Sequence, residues 1–143
     1  MMVKDIMVTD VKTIEPSSTV QEAAKKMADH CIGCLIVVNK GKLAGIVTER
    51  DMIRKVIVKG KNSPNIKINT IMTKEVIMIG PESDIEDASE VMIEKKIKKL
   101  PVLDDDNLIG IITAMDIVAA QPKLMKQISE LFLIPGRKKA VAG

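Results

Sequence analysis

The sequence predicts an α/β fold: two β-α-β-β-α repeats packed with pseudo-twofold symmetry, followed by a C-terminal helix. Three observations predict it. First, the chain matches itself without a gap: "IMVTDVKTIEPSSTVQEAAKKM" from Ile6 lies over "IMTKEVIMIGPESDIEDASEVM" from Ile71, 65 positions later. The register persists through Ile32/Ile97, Leu35/Leu100, Gly45/Gly110, Thr48/Thr113 and Asp51/Asp116, and self-similarity at a fixed period marks a repeat architecture. Second, each copy carries a helix-period stripe and then two β-branched runs. Third, the stretch after Ala120 has no counterpart in the first copy.

The elements follow in order. Val11–Ile14 reads as a short extended piece. "PSSTVQEAAKKMA" opens a helix, with Ser18 and Gln21 as a capping box that Ser83 and Glu86 repeat. Val20, Ala23, Ala24, Met27 and Ala28 then fall at i, i+3, i+4, i+7, i+8, one buried face. "CLIVVN" and "KLAGIVT", separated by the polar "NKGK", read as a hairpin. A second helix begins after Thr48 and runs to about Lys59. "KGKNSPNIKIN" has turn composition and joins the copies. The resulting division is 1–60 for the first repeat, 61–67 for the linker, 68–120 for the second repeat, and 121–143 for an amphipathic helix and basic tail. In that last part Leu124, Ile128, Leu131 and Phe132 form an apolar stripe starting near Pro122. Pro135-Gly136 ends it, and Arg137-Lys138-Lys139 is expected to be disordered.

Composition narrows the function classes. Hydrophobic residues make up 46% of the 143, but there is one Phe and no Trp or Tyr, so the core is aliphatic. No apolar run approaches the ~20 residues of a membrane span. The N-terminus lacks an apolar signal segment, and the expected location is cytoplasmic. Net charge is +3, yet the residues from Gln121 onward carry +4, leaving the body at −1. A near-neutral body is a poor electrostatic footprint for nucleic acid; only the tail could serve that way. Lys95, Lys96, Lys98 and Lys99 read as a solvated helix end, and Asp104-Asp105-Asp106 as a solvated hairpin turn.

Both cysteines sit in "HCIGC", beside the one histidine. Two cysteines make no disulfide framework. A closed structural zinc site needs four ligands, and this stretch has three. The register places Cys31 and Cys34 opposite Lys96 and Lys99, so the second copy builds the same corner without ligand residues. The stretch therefore reads as an ordinary corner between helix and strand, with no metal assigned. No carboxylate pair or nucleophile–base set is present, so the chain is not expected to be an enzyme.

The matched segments that carry chemistry are Gly45-Ile46-Val47-Thr48-Glu49-Arg50-Asp51 and Gly110-Ile111-Ile112-Thr113-Ala114-Met115-Asp116. Each ends a strand at Thr and starts a helix, whose N-terminus can receive an anion. The Asp is a fixed acceptor suited to ribose hydroxyls. T-x-x-D is equally a capping pattern.

These paired ends, the Leu100-Pro101-Val102 before the second hairpin, and the two "I-M-x-x-x-V-x-x-I-x-P" openings resemble CBS domains. Two in tandem resemble a CBS pair, or Bateman module, over about Met2 to Ala120. The resemblance implies a regulatory module that binds an adenosine-containing ligand (AMP, ADP, ATP, S-adenosylmethionine or NAD) in clefts between the repeats and signals to a client protein. It implies that Asp51 and Asp116 hold ribose and that Thr48 and Thr113 contact ribose or phosphate. Adenine would lie against Val11, Lys12, Thr13, Ile32 and Gly33 in the Asp116 cleft, and against Val76, Ile77, Met78, Ile97 and Lys98 in the Asp51 cleft. Arg50, Lys98 or Lys99 would meet phosphate. Copy one has Ile36 where copy two has Pro101, and Arg50 where copy two has Met115, so the clefts are expected to differ. A homodimer is also implied. The alternative is a structural or nucleic-acid-binding scaffold acting through the basic tail.

Overall fold

The computed structural model describes residues 1–133; Pro135-Gly136 and Arg137-Lys138-Lys139 lie outside the described residues. Helix α1 (Val3–Ile6) precedes strand β1 (Thr13–Ile14), helix α2 (Val20–His30) and strands β2 (Cys34–Asn39) and β3 (Lys42–Thr48). Helix α3 (Glu49–Met52) widens into a π turn over Ile53–Ile57, closed by Val58 N donating to Ile53 O at 2.9 Å. After 3₁₀ turns at Ser63–Asn65 and Ile68–Thr70 come α4 (Ile85–Lys95), β4 (Lys99–Asp104), β5 (Asn107–Thr113) and α5 (Ala114–Ala120). Helix α6 (Met125–Ile128) lies between 3₁₀ turns Pro122–Leu124 and Ser129–Phe132. The repeat pattern holds, although the second copy's leading strand is one parallel bridge, Ile79↔Val102, at the position of Ile14↔Val37. The second helix of copy two stops at Pro122, which follows Gln121 and disfavours helical backbone there; copy one has Ile57 at that position and continues.

The strands form one sheet in the order β1-β2-β3-β5-β4. The two hairpins therefore belong to one continuous sheet. They meet edge to edge at Lys42↔Asn107. Beyond that pair, Ile46 bridges Thr73 and Ile111 bridges Val8, so each edge is closed by the lead-in segment of the opposite repeat. The cores cross in the same way. Ile68 and Ile71 bury with Val20, Leu35, Val47 and Val56 of the first repeat. Val3 buries with Ile85, Met92, Leu100 and Ile117 of the second, together with Leu124 and Ile128 of the C-terminal segment.

This crossing moves the helix starts. Thr19, not Ser18, is the N-cap of α2 and accepts from Glu22 N at 3.1 Å. Thr19 bridges Lys67, and Val20 N donates to Ile66 O, so the chain stays extended one residue longer. In copy two Asp84 replaces Ser83 as N-cap, without a side-chain cap bond. It is held by its bridge to Met2 and by Ile85 N donating to Met1 O. Pairing with the other repeat's segment outweighs the local capping box at both sites.

Gly45 and Gly110 lie opposite irregularities in β2 and β4. A Cβ at Gly45 would stand 2.6 Å from Thr73 O; one at Gly110 would stand 2.6 Å from Met7 Sδ and 3.0 Å from Val8 O. The glycines permit the close approach of the crossing segments.

Candidate functional site

The two strand-to-helix junctions are built alike. Thr48 Oγ1 accepts from Asp51 N at 3.2 Å, while Asp51 Oδ2 accepts from Thr48 N at 3.0 Å and from the Thr48 hydroxyl at 3.1 Å. Thr113 Oγ1 accepts from Asp116 N at 3.1 Å, and Asp116 Oδ2 accepts from Thr113 N at 2.9 Å. The capping pattern is thus realised twice. They diverge at the next turn. Lys55 Nζ lies 3.2 Å from Asp51 Oδ1 and donates to Ile71 O at 2.7 Å. The equivalent of Lys55 is Ala120. Asp51 is therefore tied to a cation and, through it, to the crossing segment; Asp116 has no counterpart of that lysine.

Beside the first junction is an open cleft of about 860 Å³ built from both repeats. Thr48, Arg50, Ile53 and Arg54 line it from the first repeat, and Val76, Ile77 and Pro101 from the second. The corner Lys96-Ile97-Lys98-Lys99 forms its far side. Of the residues assigned to the Asp51 cleft, Thr48, Arg50, Val76, Ile77, Ile97 and Lys98 come together here. Neither Met78 nor Asp51 lines it, and the Asp51 side chain is 15% exposed.

The residues assigned to the Asp116 cleft are dispersed. Gly33 lines the cleft just described, not one beside Asp116. Ile32 packs on the first core. Thr13 lines a separate depression of about 540 Å³ with Glu15, Ser18 and Lys26. Lys12 Nζ pairs with Asp10 at 2.9 Å. That hydrogen bond, then the lysine's charge, holds the Asp10 carboxyl below its ordinary range. Val11 is half-buried.

The sequence reading overlooked Glu49, Ile53, Arg54, Thr73, Glu75 and Lys96 as lining residues. Lys98 and Lys99, which the resemblance assigns to ligand, do line the cleft, and Lys96, read only as part of a solvated helix end, lines it with them. The signal was the divergence of the repeats: Arg54 stands where copy two has Ala119, and Lys96 where copy one has Cys31.

The HCIGC corner is folded as its counterpart is. Cys31 and Lys96 both cap a helix in the left-handed conformation, at φ 55° and 56°. Cys31 is exposed, Cys34 is buried, and both are free thiols. Among the described residues no three His, Cys, Asp or Glu side chains cluster as metal ligands. No described helix is long and apolar enough to cross a membrane.

The model of the CBS domain matches residues 3–58 and 68–123, most of the chain. The protein belongs to the CBS-domain family, as a tandem pair. It is 36% identical over 119 residues to the CBS domain-containing protein YhcV of Bacillus subtilis, covering 83% of this chain and 84% of that one. It is 40% identical over 123 residues to an uncharacterized protein, MK0525, of Methanopyrus kandleri; the match covers 85% of this chain but only 63% of that protein's length. Among solved structures, the CBS domain pair of protein MJ0100, in complex with 5′-methylthioadenosine and S-adenosyl-L-methionine, superposes with a TM-score of 0.76 at 31% identity. That superposition covers 86% of this chain and 97% of that one.

Proposed function

We propose that the protein is a regulatory, non-enzymatic module that senses an adenosine-containing ligand in the cleft between its repeats and passes the bound state to a partner protein. The observation that carries this reading is the composition of the cleft. Ile53, Val76, Ile77, Ile97 and Pro101 offer an apolar slot for a base, while Arg50 and Lys98 offer charge for a phosphate. Asp51 holds ribose hydroxyls in this reading, and doing so requires it to share the carboxylate oxygen now paired with Lys55. An apolar slot beside placed polar and charged groups is a usual form of small-molecule site. The adenosyl compounds bound by the MJ0100 pair support the same class.

Because both repeats line the cleft, a ligand there favours whichever arrangement of the repeats it fits better. It shifts that equilibrium by no more than its difference in affinity for the two states. The module acts as a homodimer in this reading. Ile57 and Val58 of the first repeat and Met115 of the second are large apolar side chains left exposed, at 69%, 71% and 61%, the kind of surface a subunit contact covers.

The test is a thermal-shift screen against AMP, ADP, ATP, S-adenosylmethionine and NAD, with GTP as control. A ligand that binds only the folded protein at 100 times its Kd stabilises it by about 2.7 kcal/mol. A selective shift that disappears in Asp51→Ala supports the reading. Absence of a shift with every adenosyl compound rejects it.

A further inference from the structure

We infer that the cleft beside Asp51 selects a polyanionic adenosyl ligand, one carrying at least two phosphates, and that the Asp116 side of the molecule does not. The inference rests on the adenosyl reading above and narrows it to one ligand class and one side of the pseudo-twofold axis.

Five cations line the cleft, Arg50, Arg54, Lys96, Lys98 and Lys99, against two carboxylates, Glu49 and Glu75. The formal excess is three positive charges. Among the described residues none of the five is in an ion pair. Unpaired like charges gathered in a concave site repel one another and raise the local concentration of anions. A terminal phosphate carries roughly −1.5 to −2 at pH 7, so a monophosphate leaves the excess only partly met. The cations also form two arcs. Arg50 and Arg54 come from the first repeat's helix, while Lys96, Lys98 and Lys99 come from the second repeat's corner. A chain of phosphates touches both arcs; a lone sulfonium, as in S-adenosylmethionine, adds positive charge between them.

The comparison within the chain shows that this is not a property of the fold. At the 65-residue offset the five cations correspond to Met115, Ala119, Cys31, Gly33 and Cys34. Every one of them is uncharged. The two halves keep the Thr and Asp of the junction and differ in the charge around it, so anion selection has been built on one side alone. Arg54 and Lys96 are the specificity-determining residues of this inference. Both are exposed and touch neither core, so their removal leaves the fold in place.

Titration calorimetry on the full chain, at low and moderate salt, tests it with ATP, AMP, adenosine, S-adenosylmethionine and inorganic triphosphate. The expected order is ATP above AMP above adenosine, with ATP binding one equivalent per chain and weakening as salt rises. Arg54→Gln/Lys96→Gln should weaken ATP at least about tenfold and leave adenosine unchanged. The inference is overturned if S-adenosylmethionine or adenosine binds as tightly as ATP, in which case the adenosyl reading still stands. It is also overturned if the double variant binds ATP unchanged. If inorganic triphosphate binds as tightly as ATP, the site is anionic but the adenosyl reading fails. If none of the five binds, both fail.

Discussion

Cys34 and Lys99 occupy the same position in the two repeats, and they touch: Lys99 Nζ donates to Cys34 Sγ at 3.4 Å. Residues related by a pseudo-twofold axis meet only where they flank it closely, so the axis passes beside this contact. Both side chains also line the cleft. The cleft therefore begins at the axis and opens toward the first repeat's junction.

A thiol at that place reports occupancy. Cys34 is 9% exposed, whereas Cys31 caps a helix on the surface. Timed alkylation read by mass spectrometry should modify Cys31 first and Cys34 much more slowly. A ligand seated in the cleft should slow Cys34 further and leave Cys31 unchanged. Equal protection of both thiols would place the ligand elsewhere.

Much of this architecture was legible because the duplication repeats it. Gly45 and Gly110, Thr48 and Thr113, and Asp51 and Asp116 coincide at one offset, and strands, helices and junctions follow from that register. The crossing of the lead-in segments was not legible. It is carried by backbone bonds such as Val3 N to Ser83 O and Ile68 N to Ser18 O, both 2.8 Å, which leave no mark in residue type. The shift of the helix caps from Ser18 and Ser83 to Thr19 and Asp84 follows from the same bonds. Lys96 escaped the reading for a different reason. A charged run beside a helix end looks alike in sequence whether it faces water or a cleft, and only the opposite repeat, folded against it, decides.

The two glycines should differ in what they tolerate. At Gly45 an added methyl group meets backbone, Thr73 O, which cannot move without breaking the Ile46–Thr73 bridge. At Gly110 it first meets the flexible end of Met7. Overpacking of this kind costs about 1–3 kcal/mol. Gly45→Ala should fall at the upper end and Gly110→Ala at the lower. Denaturant unfolding of both variants measures the difference, and a larger loss for Gly110→Ala would contradict the account.

The crossed cores predict that each repeat depends on the other's segment. Ile68 opens the second repeat, yet it is fully buried in the first core. Ile68→Ala should cost about 2–5 kcal/mol, as for other buried isoleucines. Amide exchange should show the loss in α2, β2 and β3 ahead of α4 and β4. Loss confined to the second repeat would rule out the crossing.

Lys55 sets the two aspartates apart. It bonds Asp51 and Ile71 O at once, so Lys55→Met removes a partner from each. The ion pair is partly exposed, and its own worth is about 0–1 kcal/mol. The expected stability change is small, while affinity for an adenosyl ligand should rise, because the ribose no longer competes for Asp51 Oδ1. Calorimetry on Lys55→Met against the parent checks this. Weaker binding would mean that the lysine orients the carboxylate for the ligand.

The last prediction concerns the C-terminal segment. Phe132, expected to join the apolar stripe, is 46% exposed, and its ring lies under Lys98 Nζ at 4.6 Å from the centroid. Leu124 and Ile128 anchor the segment in the second core, which brings the chain's one phenylalanine to a residue of the cleft wall. A cation over a ring at an exposed site is worth about 0.5–1 kcal/mol. A double-mutant cycle with Phe132→Leu and Lys98→Met isolates that coupling, since leucine keeps the apolar bulk and loses the ring face. The expected coupling is about 0.5–1 kcal/mol without ligand. A phosphate drawing Lys98 into the cleft should abolish it, so the cycle repeated at saturating ATP should close to zero. Coupling that survives saturation would show that Lys98 stays on Phe132 and that phosphate is held by the remaining cations alone.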